Sequence, residues 1–329
     1  MNERLDRTRV LITGASGLIG INLIKHIHEI APACQIIALV HSLEKAKRAL
    51  PEAEWLTIIE TDVNQPVSVE GRIDYVIHGA SITSSKMFVD APVETILTSV
   101  NGTRNMLELA RQKQVRSFVF LSTMEVYGAP ATDDRITEEA ACSLDTMQKR
   151  SSYSESKRLC ETMCEAYHAE YGVPAKVIRL TQTIGPGIDY HDGRVFAEFA
   201  RCVIEKRNIV LCTQGETKRS YLSADDTASA ILTVLLKGED GQAYNAANEA
   251  TYCSVYEMAK LVAHACANDE ISVEIQLDDV SKYGYAQVLR MNLDTTKLRM
   301  LGWTTNVDLV QMFQLLIEDM KRYADSQAE

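Results

Sequence analysis

The chain has 329 residues, 46% of them hydrophobic, 24% charged and 6% aromatic, which excludes a disordered chain and predicts one large or two closely joined domains. With 34 basic against 45 acidic residues the net charge is −11, a field that repels nucleic-acid backbones and anionic membranes. Any anionic ligand must therefore be caught locally, by helix ends or single arginines.

No apolar run of signal-peptide or membrane-span length is found, and the cysteines show no CxxC spacing, so a cytoplasmic protein with reduced thiols and no metal site is expected. Cys160 and Cys164 lie one helical turn apart and read as small apolar residues on a helix. In chain order, strands are expected at 9–13, 35–40, 57–59, 74–77, 117–121 and 175–180. Helices are expected at 20–30, 45–50, 92–112 and 153–171, where apolar residues repeat near 3.6. Continuous apolar strands alternating with helices indicate an α/β fold, a Rossmann-like doubly wound parallel sheet with helices on both faces. After Leu180 the rhythm loosens, with a helix at 195–206, a strand at 209–212 and further helices after Ala224 and Ser254. Residues 1–180 are thus expected to form a dinucleotide-binding domain, with 218–250 returning to it. Residues 181–329 mainly form a smaller C-terminal substrate-binding lobe over the carboxyl ends of the strands.

Directly after the first strand stands Thr13-Gly14-Ala15-Ser16-Gly17-Leu18-Ile19-Gly20. Gly14 suits the tight turn, Gly17 lets backbone approach a phosphate, and Gly20 lets the helix pack on the sheet. The loop predicts a bound dinucleotide. Asp62, past the third strand, is placed to accept from an adenine amino group. The second strand ends in Val40-His41-Ser42 instead of the acid that binds the ribose hydroxyls of NAD, and Lys45, Lys47 and Arg48 follow, so NADP stays open beside NAD.

Tyr153 and Lys157, four apart at the start of a helix, share one face. An ammonium beside the phenol is expected to lower its pKa and make Tyr153 a base at neutral pH, with Thr123 binding the same substrate hydroxyl.

Taken with TGASGLIG at 13–20, HGAS at 78–81, STMEVYG at 122–128, YSESK at 153–157, IGPG at 184–187, KRSYLSADD at 218–226 and LDTTKLRMLGW at 293–303, the chain resembles the extended short-chain dehydrogenase/reductases. Within them it resembles the nucleotide-sugar epimerase/dehydratase family. Its nearest likeness is to UDP-glucuronate decarboxylases, through E-V-Y-G at 125–128, KRLCETM at 157–163 and DGRVFAEF at 192–199. The resemblance implies a tightly held nicotinamide and a nucleotide-sugar substrate oxidised transiently at C4. It also implies a homodimer through the helices near 92–112 and 153–171. It implies Thr123, Glu125, Tyr153 and Lys157 as catalytic residues. Ser16, Leu18, Ile19, His41, Val63 and Ala80 join the glycines and Asp62 around the cofactor, and Ser81, Gln182, Arg194 and Arg219 join Thr123 and Glu125 around the substrate. Met124 stands where a dehydratase has its general acid, and Gln182 and Ile184 replace the usual Asn and Tyr. Epimerisation and decarboxylation stay open, with an NADPH-dependent reductase or a non-catalytic dinucleotide sensor as alternatives.

Overall fold

A strand buried on both faces can be apolar at every position, and the first half of the chain is built on that rule. In the computed structural model, which describes residues 2–141, 143–278 and 288–328, the first half runs α1 (Asn2–Leu5), β1 (Arg9–Thr13), α2 (Leu18–Ile30), β2 (Gln35–Val40), α3 (Leu43–Ala49), β3 (Leu56–Glu60), β4 (Tyr75–His78), α4 (Ser85–Asp90) and α5 (Pro92–Lys113). It continues through β5 (Ser117–Thr123), a 3-10 turn at Met124–Tyr127, α6 (Ser151–Tyr171) and β6 (Ala175–Leu180). Then come β7 (Gln182–Ile184), α7 (Val195–Ile204), β8 (Ile209–Leu211), β9 (Lys218–Ser223), α8 (Ala224–Lys237), β10 (Ala243–Ala246) and β11 (Asn248–Ser254). Last are α9 (Val255–Ala267), β12 (Val273–Ile275), β13 (Arg290–Met291), α10 (Thr296–Met300) and α11 (Leu309–Ala328).

The main sheet has seven parallel strands in the order β10-β6-β5-β4-β1-β2-β3. The order reverses between β1 and β4, so the crevice at their carboxyl ends is the ligand site of an open α/β sheet. One face is covered by α2 and α8, whose Leu23, Ile24, Ile27, Ile231 and Leu235 share a core with alternate strand residues. The other is covered by α5 and α6, through Met106, Leu107, Ala110, Cys160 and Cys164. Both cysteines are buried thiols whose pKa burial pushes up.

The strand β10, four residues long and containing the polar Asn245, was not among the strands expected. It joins the sheet because β6 offers it a free edge, and α8 carries the chain back to reach it. A second, four-stranded sheet holds β11, β9, β13 and β7, and α7, α9 and α11 pack a separate core around Phe196, Phe199, Met258, Met312, Phe313 and Leu316. Asp226, buried at the start of α8, joins the two parts by accepting from the backbone of Asn306 at 3.0 Å and Val307 at 3.3 Å.

The packing of α2 on β1 is closest at Gly20, where an added Cβ would lie 2.5 Å from the Gly14 carbonyl oxygen and 2.6 Å from Ala15 Cα. Both are backbone atoms that cannot swing aside. Gly20→Ala should destabilise the protein by about 1–3 kcal/mol, the range for forced overpacking. A urea midpoint equal to wild type would contradict this.

Candidate active site

The first βα turn is shaped by conformation before chemistry. Gly14 has φ +70°, a region L side chains rarely adopt, and an added Cβ there would lie 2.9 Å from the Gly79 backbone. Gly17 donates its N–H to the Gly14 carbonyl at 3.0 Å and stands as the N-cap of α2. No side chain caps that helix and no acidic residue lies in its first turn, which leaves the amides at Leu18 and Ile19 and the positive helix end to an anion. Ser16 is half-buried in the same turn. These features fit the diphosphate of a dinucleotide.

Thr13, the last residue of β1, holds this loop to the loop after β4. Its Oγ1 accepts from the backbone N–H of Gly79 at 3.1 Å and of Ala80 at 3.0 Å, and lies 2.7 Å from His78 Nδ1. With both lone pairs engaged, the Thr13 hydroxyl donates to His78, so the imidazole proton sits on Nε2. That nitrogen is buried without a partner. Burial, and then the nearby Lys157 charge, push the His78 pKa down to about 3.

His41 is exposed at the end of β2, where Ser42 caps α3. Glu60, at the end of β3, accepts from the Leu43 N–H at 2.7 Å, and Arg48 is paired with Glu44. Two carboxylates therefore accompany the cations read from the sequence. Asp62, also exposed, accepts from Asn64 N at 2.9 Å, and the Val63 carbonyl accepts from Asn105 Nδ2 at 2.8 Å.

The side chains expected to react meet where α6 crosses the end of β5. Tyr153 is buried, with its ring stacked on Phe88 at 4.2 Å and 7°. Lys157, one turn on and equally buried, donates to the Leu121 carbonyl at 2.8 Å and lies 5.9 Å from the Tyr153 ring centroid. Burial pushes the Lys157 pKa down to about 8, while Cys160, Glu161 and Cys164 push back. The expected lowering of the tyrosine is not found. Burial and the Glu125 charge push the phenol well above its ordinary value, outweighing the Thr123 hydrogen bond and the Arg150 charge. The ammonium is engaged by the Leu121 carbonyl, and desolvation is the largest influence on the phenol.

Glu125 is held by a residue that the sequence reading missed. Arg150, the N-cap of α6, forks onto its carboxylate at 2.9 and 3.2 Å and lies 5.9 Å from the Phe88 ring centroid. Its place three residues before Tyr153, nearly one helical turn, was the available signal. Glu125 N–H also donates to Thr123 Oγ1 at 3.2 Å. Met124 is buried, its sulfur accepting from the Thr181 hydroxyl at 3.4 Å.

The residues expected around the substrate fall into three groups. Ser81 Oγ lies 3.2 Å from Ser99 Oγ. Arg194 is bound to Asp192 by three contacts of 2.6–3.1 Å and lies 4.8 Å from the Phe196 ring centroid, which engages the guanidinium locally. Gln182 and Arg219 sit on β7 and β9, paired strands in which Gln182 is in register with Tyr221. Gln182 Oε1, Arg219 Nε and Tyr221 OH are all buried without partners, a concentration of unspent polar atoms in one small sheet.

A model of the NAD dependent epimerase/dehydratase family matches residues 10–247. UDP-glucuronic acid decarboxylase 1 of Xenopus tropicalis is 28% identical over 98% of this chain and 74% of its own. UDP-glucuronic acid decarboxylase 6 of Arabidopsis thaliana is 29% identical over 95% of this chain and 89% of its own. Among solved structures, the Thermotoga maritima UDP-glucose 4-epimerase with UDP-glucose has a TM-score of 0.82 at 22% identity, over 96% of this chain and 100% of that one. The dTDP-glucose 4,6-dehydratase of Bacillus anthracis in complex with NAD has 0.76 at 20%, over 97% and 98%. These two superpositions carry the fold.

Because folded His78 titrates at about 3 and the unfolded residue near 6.5, the unfolded chain binds a proton in that window that the folded chain does not. Stability should therefore fall as pH drops from about 6.5 towards 3, by at most ~1.4 kcal/mol per unit from this residue. His78→Gln should show a shallower fall in urea midpoint between pH 6.5 and 4.5. An unchanged slope would contradict the assignment.

Proposed function

The chain belongs to the NAD dependent epimerase/dehydratase family, and on that premise we propose that it decarboxylates a UDP-linked uronic acid through transient oxidation at C4. The observation that carries this reading is Glu125 fixed by the Arg150 fork beside Tyr153 and Thr123. The named decarboxylase relatives support the substrate class.

Bound NAD supplies the hydride acceptor. It would be held by the Gly14–Gly20 loop and the start of α2, with Asp62, Val63, Ala80 and the exposed His41 lining its adenosine and ribose side. Thr123 and Tyr153 hold the C4 hydroxyl. Burial and the Glu125 charge disfavour the phenolate, so Tyr153 would release its own proton to solvent once the charged nicotinamide is beside it, and the phenolate would then take the C4 hydroxyl proton. Lys157, fixed on Leu121, keeps its positive charge near the ring that gains charge. The C4 ketone then accepts the electron pair of the C5–C6 bond as carbon dioxide leaves, and a water positioned by Glu125 returns a proton to C5 before C4 is reduced again. That cleavage needs no base at C5, whereas C5 epimerisation does, and a carboxylate forked onto Arg150 is a poor one. Elimination at C5–C6 needs an acid at position 124, and the Met124 thioether cannot move a proton. Arg219, Gln182 and Ser81 are assigned to the nucleotide diphosphate and sugar, with Arg194 at the rim of that lobe.

We propose a division at about residue 180, with 218–250 returning to the first domain, a reading supported by α8 and β10 packing with the main sheet. A homodimer is proposed through α5 and α6, where Val93, Ile96, Leu97 and Leu159 are exposed. The helical spacing of the first three makes one apolar stripe. Among the described residues no helix is long and apolar enough to cross a membrane.

Wild type should convert UDP-glucuronate with loss of carbon dioxide, read by mass spectrometry. Tyr153→Phe should lower turnover ~10²–10⁴-fold, the range for a lost general base, with sugar binding retained. Glu125→Gln should still oxidise C4 but stall, seen as a rise in near-ultraviolet absorbance; turnover equal to wild type would remove Glu125 from the later steps. Direct titration should favour NAD over NADP, because Glu60 opposes a 2′-phosphate and Glu44 engages Arg48. Tighter NADP binding would reverse that assignment.

A further inference from the structure

We infer that the half-buried Glu161–Arg179 pair is a positioning element of this site, fixing α6 against β5 and the Glu125 turn so that Tyr153 stays beside Thr123. The inference rests on the reading of Tyr153 and Thr123 as the groups that handle the C4 hydroxyl. It adds residues that touch neither substrate nor cofactor.

Tyr153, Lys157 and Glu161 are spaced four apart and share one face of α6. All three act on the last three residues of β5, though not in sequence order. Lys157 donates to the Leu121 carbonyl at 2.8 Å, and Glu161 Oε1 accepts from the Ser122 hydroxyl at 2.5 Å. Thr123 is the next residue, and its hydroxyl acts on the Tyr153 phenol, lowering its pKa against the larger effect of burial. Together they tie one helix face to one strand end, so that a shift at Glu161 is passed to Tyr153 through a single rigid helix.

Arg179, on the neighbouring strand β6, completes the anchor. Its Nη2 donates to Glu161 Oε2 at 2.7 Å, and its Nε lies 3.1 and 3.2 Å from the two carboxylate oxygens. Its Nη1 donates to the Tyr127 hydroxyl at 2.7 Å and the Glu138 carbonyl at 2.9 Å. Tyr127 ends the 3-10 turn that carries Glu125, and its hydroxyl donates onward to Asn245 Oδ1 on β10 at 2.8 Å. One guanidinium thus links the helix bearing Tyr153 to the turn bearing Glu125. Burial works against the Arg179 charge, but the Glu161 hydrogen bonds and charge outweigh it and hold the group above its ordinary value. A fork of this kind fixes direction as well as distance.

Glu161 also contributes to the electrostatics of Lys157. The groups facing that ammonium are Cys160, Glu161 and Cys164 on its own helix, Tyr153 one turn earlier, and His78 from β4. Glu161 is the carboxylate among those acting on it, and it raises the Lys157 pKa against the larger effect of burial.

The test compares Glu161→Ala, Glu161→Gln and Ser122→Ala with wild type, NAD-loaded. The substrates are UDP-glucuronate, UDP-glucose and UDP-N-acetylglucosamine, and the sugar that wild type oxidises is carried forward. Glu161→Ala should lower kcat about 10²-fold, the scale of a misplacement near 1 Å, with KM within about threefold. Glu161→Gln keeps an acceptor for Ser122 and Arg179 and should recover about half of that loss on a logarithmic scale. It should also move the alkaline limb of the kcat profile to lower pH, because the charge that raises Lys157 is gone. Ser122→Ala, which leaves the ion pair and its burial intact, should lower kcat about tenfold even where the Glu161 variants fail to fold. Wild-type kcat in Ser122→Ala or Glu161→Ala would overturn the inference, as would an unmoved alkaline limb in Glu161→Gln. Tyr153→Phe run beside them keeps the two questions apart. If it retains turnover, the site assignment itself fails; if it is inactive while the Glu161 and Ser122 variants match wild type, only the positioning role fails.

Discussion

The bond from Lys157 to the Leu121 carbonyl is the constraint on which the site depends. A lysine with 3% of its surface exposed is costly to bury unless its charge meets a partner, and here the partner is the backbone of the strand that ends in Thr123. Because helix and strand are each rigid, that contact ties the helix bearing Tyr153 to the strand end. The phenol is then buried, stacked on Phe88 and kept protonated.

The two halves of the site are held by different means. The cofactor half depends on glycines and on the Thr13 hydroxyl, which joins the loops after β1 and β4 without offering a charge. The reacting half depends on two ion pairs, Glu125 with Arg150 and Glu161 with Arg179. Such pairs suit a chain of net charge −11, in which free cations are scarce and must be fixed to be useful. The Arg219 guanidinium keeps a buried Nε without a partner, which leaves it available to an anion.

The fold was largely legible in the sequence because doubly covered strands are apolar throughout and their helices carry a clear period. Six strands of the main sheet fall within a residue or two of the expected places, and β5 runs on to Thr123. The seventh, β10, escaped because a four-residue edge strand containing Asn245 has neither an apolar run nor alternation. The sequence motifs pointed to Thr123, Tyr153 and Lys157, which the structure places together, whereas Arg150 and Arg179 were silent as partners. Each acts through a contact distant in sequence, 25 residues from Arg150 to Glu125 and 18 from Arg179 to Glu161, so that spacing could place Arg150 near Tyr153 but not name its partner. The protonation state of Tyr153 was misjudged for a related reason. Spacing places a charge near a phenol, but the competing desolvation depends on how deeply the packing buries the ring.

The central claim is that one bound nicotinamide oxidises and then reduces the same sugar carbon within a single visit. The most direct measurement supplies UDP-glucuronate carrying deuterium at C4 and follows the label in the product by mass spectrometry and proton NMR. The account predicts a decarboxylated pentose nucleotide that retains deuterium at C4, with unlabelled carrier NADH in solution leaving that content undiluted. A product that has lost the C4 label, or a label found in free cofactor, would contradict it.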